Sequence, residues 1–196
     1  MGMQCTAVDR PLSSKADGFV DEDLLGRYVD DEWEFILTAD GDLEWRDSGS
    51  GGRALFHVWS TEIEGRRYLN FPINRPYECI GCDEDGLSQL LKEPEAIFAL
   101  LYATDITSLE GPALSAQDDI AELERREGEW VAYSLMDNAF SAQAIAMGLV
   151  EGKCNGPCRT SAEIRLTGSR SALQEFISQY NDQLYRSWNV GWRQQE

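Results

Sequence analysis

Five cysteines carry the most reactive chemistry of this 196-residue chain, and four of them fall into two close pairs. Cys79-Ile80-Gly81-Cys82 and Cys154-Asn155-Gly156-Pro157-Cys158 each set two thiols on a short stretch containing glycine. Two chemistries use that spacing. If the two stretches meet, four thiolates would hold a structural zinc ion tetrahedrally, because closely spaced thiolates chelate one ion. In an oxidising compartment the same residues would instead cross-link their loops as one or two disulfides. A thioredoxin-like redox centre fits less well, because no convincing βαβ helix follows Cys79 and Cys82. The compartment decides between metal and disulfide, and the even number of paired cysteines favours disulfides.

The remaining candidates are weaker. His57 is the sole histidine, and a lone histidine in a strand more often packs or sits at a surface than acts as a general base. No Ser-His-Asp arrangement, P-loop or Gly-rich dinucleotide fingerprint occurs, so no catalytic residue is singled out. A hydrolase is the least disfavoured enzymatic class, without a feature that argues for it. Asp83, Glu84, Asp85 and Gly86 resemble part of a calcium loop but lack the alternating ligand spacing. A net charge of −18 and a pI near 4.3 argue against nucleic acid or an anionic membrane surface as partner, since both repel an acidic protein. No apolar run is long enough to span a bilayer, and no transmembrane segment is expected. No signal peptide is visible, which leaves a cytoplasmic chain or one that has lost its targeting segment.

The elements that would position these groups start with two hairpins between Trp33 and Ile73. Trp33, Phe35 and Leu37 alternate with polar or outward positions, and Asp40-Gly41 marks the reversal. A three-residue loop, Ala39 to Gly41, pairs Leu37 with Leu43 and Phe35 with Trp45, with Gly41 left-handed. In the second hairpin, a two-residue loop at Glu64-Gly65 pairs Glu62 with Arg67, Ser60 with Leu69, Val58 with Phe71 and Phe56 with Ile73. One face then holds Phe56, Val58, Leu69, Phe71 and Ile73. The other carries His57, Trp59, Tyr68 and Asn70, a face expected to be covered or to line a ligand cavity.

Further along, the apolar run Ala96 to Thr104 and the segment Trp130 to Met136 read as strands. Asp137 or Asn138 caps a short helix that puts Phe140, Ala144 and Met147 on one face and stops at Gly148. Ala162, Ile164 and Leu166 point inward from another strand. Leu173, Phe176, Ile177, Tyr180 and Leu184 form the stripe of a C-terminal amphipathic helix starting near Ser169. Residues 109–129 read as a long acidic surface insertion. Residues 1–23 read as a flexible N-terminal arm, 24–187 as a single β-rich domain, and 188–196 as an aromatic tail of no evident role.

Two resemblances add to this reading. Cys5, a polar tether and then a compact Leu24-Leu25-Gly26-Arg27-Tyr28-Val29 resemble the start of a mature bacterial lipoprotein, in which Cys5 would be the lipid anchor. Gly26-x-Tyr28, the hairpin around Ala39-Asp40-Gly41-Asp42, the hairpin ending Arg66-Arg67-Tyr68-Leu69-Asn70-Phe71 and the late Leu166-Thr167-Gly168-Ser169 strand-to-helix turn resemble small lipocalin-like domains of uncharacterised bacterial cell-envelope proteins. That resemblance covers residues 24–73 and 129–180 and implies an α+β, mainly antiparallel fold: a lipocalin-like barrel or strongly curved sheet with a short helix and a C-terminal helix. It carries no catalytic residues. It implies a non-catalytic envelope module that binds a small apolar ligand or a protein partner. The alternatives are a cytoplasmic zinc-stabilised interaction domain and a hydrolase.

Overall fold

In a computed structural model, residues 5–29, 33–47, 51–81, 95–104, 130–158, 163–186 and 188–194 are described. Strands β1 to β13 and helices α1 to α3 below are numbered in chain order. The first hairpin forms in the register its alternation requires. β3 (Trp33–Leu37) and β4 (Asp42–Asp47) pair Phe35 with Trp45 and Leu37 with Leu43. The Thr38 amide donates to the Asp42 carbonyl at 3.0 Å, and Gly41 closes the loop at φ +78°. β2 (Gly26–Val29) flanks β3, and β5 (Arg53–His57) flanks β4. Leu37, Leu43, Ala54 and Phe56 are buried on one face. The opposite face carries Arg27, Glu34, Arg46, Glu44 and Arg53, linked by ion pairs across four strands.

The second hairpin is shorter than the sequence implies. β6 (Trp59–Ile63) and β7 (Arg66–Phe71) pair Glu62 with Arg67 and Ser60 with Leu69 around a turn with Glu64 and Gly65 both at positive φ. Pairing of Val58 with Phe71 and of Phe56 with Ile73 does not follow, because the chain leaves β7 at Val58. There the Val58 amide donates to the Gly41 carbonyl, and β5 pairs with β4 and with β8 (Glu78–Ile80) instead. The expected inner face survives the change: Phe56, Val58, Leu69, Phe71 and Ile73 all join one apolar cluster.

That departure bends the whole sheet. With β9 (Phe98–Ala103), β10 (Trp130–Ser134) and β13 (Asn189–Gln194), ten strands run in the order β6-β7-β9-β10-β13-β2-β3-β4-β5-β8, every pair antiparallel. β5 and β6 lie almost at opposite ends of that order yet are joined by Val58 alone. The His57 and Trp59 Cα atoms can therefore be no more than about 7 Å apart. The sheet curls until its ends approach, and its concave side is filled by Phe56, Phe71, Phe98, Tyr102 and Val131. Among the described residues no ladder joins β6 to β5 or β8, so the lipocalin-like barrel is not closed; the fold is α+β with mainly antiparallel sheets and short helices.

A second layer covers the back of β7 and β9. β1 (Cys5–Val8), β11 (Glu151–Cys154) and β12 (Glu163–Thr167) form a three-stranded sheet in the order β1-β12-β11, β1 parallel to β12. Asp137 caps α1 (Asn138–Ala146) by accepting from the Phe140 amide at 2.6 Å, and Gly148 ends it at φ +70°. Ser169 caps α2 (Arg170–Gln179), which buries Leu173, Phe176 and Ile177. Tyr180 interrupts the stripe before the short α3 (Asn181–Leu184), and Leu184 continues it inward. Met147, expected on the packed face of α1, is instead 61 % exposed, one residue past the helix end.

Both chain ends are more structured than their composition implies. Residues 5–23, read as a flexible arm, begin with β1, whose Thr6, Ala7 and Val8 are buried, and continue with buried Leu12, Ser13 and Asp21. An antiparallel bridge between Val8 and Ile97 ties the small sheet to β9. At the other end, the segment read as a tail supplies β13, seated between β10 and β2 in the large sheet. The small layer thus takes its first strand from before the large sheet, and the large sheet takes a central strand from after the last helix.

Candidate functional site

Cys79 and the pair Cys154 and Cys158 pack against different apolar clusters. Cys154, at the end of β11, is bonded to Cys158 across a Cα–Cα distance of 5.0 Å. The bond closes one loop on itself and does not join the two cysteine stretches. Both sulfurs pack at the margin of the cluster shared by the small sheet, the helices and the back of β7 and β9. Cys79 lies within β8 and packs against the other cluster, inside the curled sheet. It too is disulfide-bonded. The zinc alternative on Cys79, Cys82, Cys154 and Cys158 finds no support among the described residues, where no group of His, Cys, Asp or Glu is placed to hold a metal ion. Cys82 and the acidic run after it lie outside the described residues. With only four residues of separation, the Cys154–Cys158 ring restricts the unfolded chain by roughly 2 kcal/mol, near the low end for a disulfide.

Cys5 opens β1, and the backbone is paired with β12 from that residue onward. The polar tether that motivates a lipid anchor is therefore not a tether: it is packed chain.

The four residues expected to face a ligand separate. Tyr68 and Asn70 have no exposed surface. The Tyr68 hydroxyl donates to Asn181 Oδ1 at 2.7 Å. Asn70 accepts from the Leu12 amide at 2.8 Å and donates to the Trp59 carbonyl and to Thr61 Oγ1. The Trp59 indole donates to the Ser13 carbonyl, and Gly18 passes so close over its ring that a Cβ there would clash. This face is covered by the chain's own N-terminal segment and by α3, not by a ligand.

That segment, residues 12–24, is a strap wrapped around the edge of β6. Leu12 and Ser13 sit on one face of the strand, Phe19 pairs with Ser60 along its edge, and Asp21 reaches the other face. There the Tyr102 hydroxyl is within 2.7 Å of both Asp21 Oδ2 and Ser60 Oγ, and Arg67 donates to Asp21 and Asp23. Desolvation, foremost, holds the Tyr102 phenol far above its ordinary range. Such a neutral phenol donating to a buried carboxylate satisfies both groups, as buried polar groups require.

His57 alone of the four faces solvent. It closes β5, and its Nδ1 lies 2.7 Å from Asp42 Oδ1 on the neighbouring strand. The Tyr77 ring stacks on the imidazole at 4.2 Å. Partial desolvation, and after it the Asp42 carboxylate that the phenol also engages, push Tyr77 above its usual range. The contact at Nδ1 fixes the orientation of the ring from the Asp42 side. Among the described residues, the hydrogen-bond partner of the ring is Asp42. Tyr77 against the ring is 47 % exposed, and Ile80, 45 % exposed, lies further along β8 opposite Arg53 at the β5–β8 end of the sheet.

The comparisons are silent. No family model, curated protein or solved structure matches this chain. The sequence hints at the Asp42–His57 contact only in retrospect, because it depends on the β4–β5 pairing, which sets Asp42 opposite His57.

Proposed function

We propose that this protein is a non-catalytic binding module on the extracytoplasmic side of the cell envelope, and that it meets a protein partner through the surface around His57, Tyr77 and Ile80. The observation that carries the compartment is the Cys154–Cys158 bond, seconded by the bonded state of Cys79. Disulfides persist where thiols are not kept reduced, and a reducing cytosol would open them.

A protein partner is favoured over a small apolar ligand by what fills the sheet. The concave side that would hold a ligand in a lipocalin-like barrel contains rings packed on each other, Phe56 against Phe71 at 4.9 Å and Phe71 against Phe98 at 6.4 Å. The second candidate face is closed by the strap. An exposed tyrosine ring stacked on an oriented imidazole, with an exposed isoleucine further along the same strand edge, are groups that interfaces use, since aromatic side chains bring large area at low entropy cost. The curl of the sheet supports the lipocalin-like resemblance, and its filled interior supports a role without cargo.

Alkylating thiols in intact cells before lysis tests the compartment. Cys79, Cys154 and Cys158 are expected to stay unlabelled until a reductant is added; labelling without reductant would overturn the reading. Tyr77→Ala and Ile80→Ser together test the surface. They are expected to abolish chemical cross-linking to a partner in envelope preparations without changing the thermal midpoint, whereas undiminished cross-linking would move the interface elsewhere.

A further inference from the structure

We propose that the outer edge of β11 is a self-association surface, to which a second copy of this chain adds its own β11 antiparallel about a two-fold axis at Gly152. The outer strands of the two sheets are β6, β8, β1 and β11. The β6 edge is bridged by Phe19 of the strap, and β1 is tied to β9 through Val8 and Ile97. Among the described residues, β11 carries no such cover. Its ladder shows which backbone groups point outward. The Asn155 amide donates to the Glu163 carbonyl, so by the alternation of an antiparallel pair Lys153 and Glu151 also turn their backbone groups to β12. The amides and carbonyls of Gly152 and Cys154 then face away from the sheet, a row to which another strand can bond.

Charge selects the occupant. Glu151 and Lys153 are both exposed, on the strand face opposite Gly152, which turns to Ile145 of α1. Neither makes an ion pair among the described residues, whereas Arg165 and Glu163 on the neighbouring strand pair with each other. With the axis at Gly152, each Glu151 falls directly opposite the second copy's Lys153, at the positions where facing side chains come closest. Moving the axis one residue either way would oppose two glutamates or two lysines, which disfavours those registers. β8 offers no such match, because centring Glu78-Cys79-Ile80 on itself sets Glu78 against Ile80. Met147 and Leu149 are exposed just before β11, and the same register carries the second copy's 155–157 loop towards them. Two copies of net charge −18 repel at long range, and a ladder this short buries less than about 1,200 Å², so the dimer is weak. The surface around His57, Tyr77 and Ile80 plays no part in it.

Sedimentation equilibrium of the full-length oxidised protein at fixed ionic strength, taken to high micromolar concentration, tests it. A reversible monomer–dimer equilibrium is expected. Glu151→Lys and Lys153→Glu, each of which sets like charges opposite one another, are expected to raise its dissociation constant about ten-fold or more. The swapped double variant Glu151→Lys/Lys153→Glu is expected to regain the parent value. A monomer at every concentration, a constant that neither single variant moves, or a double variant as weak as the singles would overturn the proposal. Hydrogen exchange of the unaltered protein gives a readout that no folding defect can imitate. The Gly152 and Cys154 amides are expected to exchange more slowly as concentration rises, while the Lys153 amide, already bonded to β12, does not change. Concentration-dependent protection confined to another segment would equally overturn it.

Discussion

The amide of Val58 donates to the carbonyl of Gly41 at 2.9 Å. That bond ties the turn of the first hairpin to the single residue linking β5 and β6, at the point where the sheet folds back. Gly41 holds φ +78°, and a Cβ on it would lie 3.0 Å from the Val58 carbonyl and 3.1 Å from Val20. Gly41→Ala is therefore expected to lower stability by about 1–3 kcal/mol, through left-handed strain and the close contact together. Chemical denaturation measures this. An unchanged midpoint would mean that the corner does not depend on that turn.

The strap makes a separate prediction. Asn70 satisfies the Leu12 amide, the Trp59 carbonyl and Thr61 in a site with no solvent. Asn70→Ala leaves those groups buried and unpaired, a loss of about 2–4 kcal/mol. The exposed Lys15 offers a trypsin site within the strap. Cleavage there is expected to accelerate in the variant, while cleavage at the native rate would show that the strap is held by something else.

Alkaline titration probes the buried phenols. Desolvation raises Tyr68, Tyr102 and Tyr185 far above the ordinary tyrosine range. A folded-state value above the unfolded one means that stability is intact below pH 10 and falls once the unfolded chain can release protons that the folded chain keeps. One pH unit above that point the three phenols together would cost about 4 kcal/mol. Phenolate absorbance is expected to show three of the seven tyrosines ionising only as the protein unfolds. Ionisation of all seven in one smooth step without unfolding would contradict their burial.

The outer face of the large sheet predicts little change. Arg46 holds Glu44 below its ordinary carboxylate range by hydrogen bond, and Arg53 adds to it. The lowered carboxyl contributes stability that is present above the unfolded value near pH 4.5 and is lost as the pH falls from there through the lower folded value. Because Arg46 and Arg53 are substantially exposed, Glu44→Gln is expected to cost less than about 1 kcal/mol, and less in high salt. A loss of several kcal/mol on denaturation would show that the ladder is structural.

How far the fold could be read follows from which forces hold each part. The first hairpin was legible to the residue because apolar alternation and one turn glycine fix its register. The capped helices α1 and α2 were legible because Asp137 and Ser169 sit where orphan amides need an acceptor. The strap was not, because its anchors are polar: Ser13, Asp21, Ser60, Thr61 and Asn70 look like surface residues until they find each other. β13 carried a signal that passed unread, since Trp188, Val190 and Trp192 alternate with polar residues and glycine. The bend at Val58 was beyond local pattern, for a straight extension of β6 matches the same apolar positions. The cysteines were legible as disulfide candidates, but that Cys154 bonds within its own loop was not, because whether the two stretches meet depends on the long-range placement of β8 and β11.

The most direct test of the account is a peptide map of the native protein under non-reducing conditions with free thiols blocked. The structure predicts a bridged species linking Cys154 to Cys158 within one proteolytic fragment, and a bonded Cys79. Free thiols at those three positions, or a bridge from Cys79 to either residue of the 154–158 loop, would contradict it.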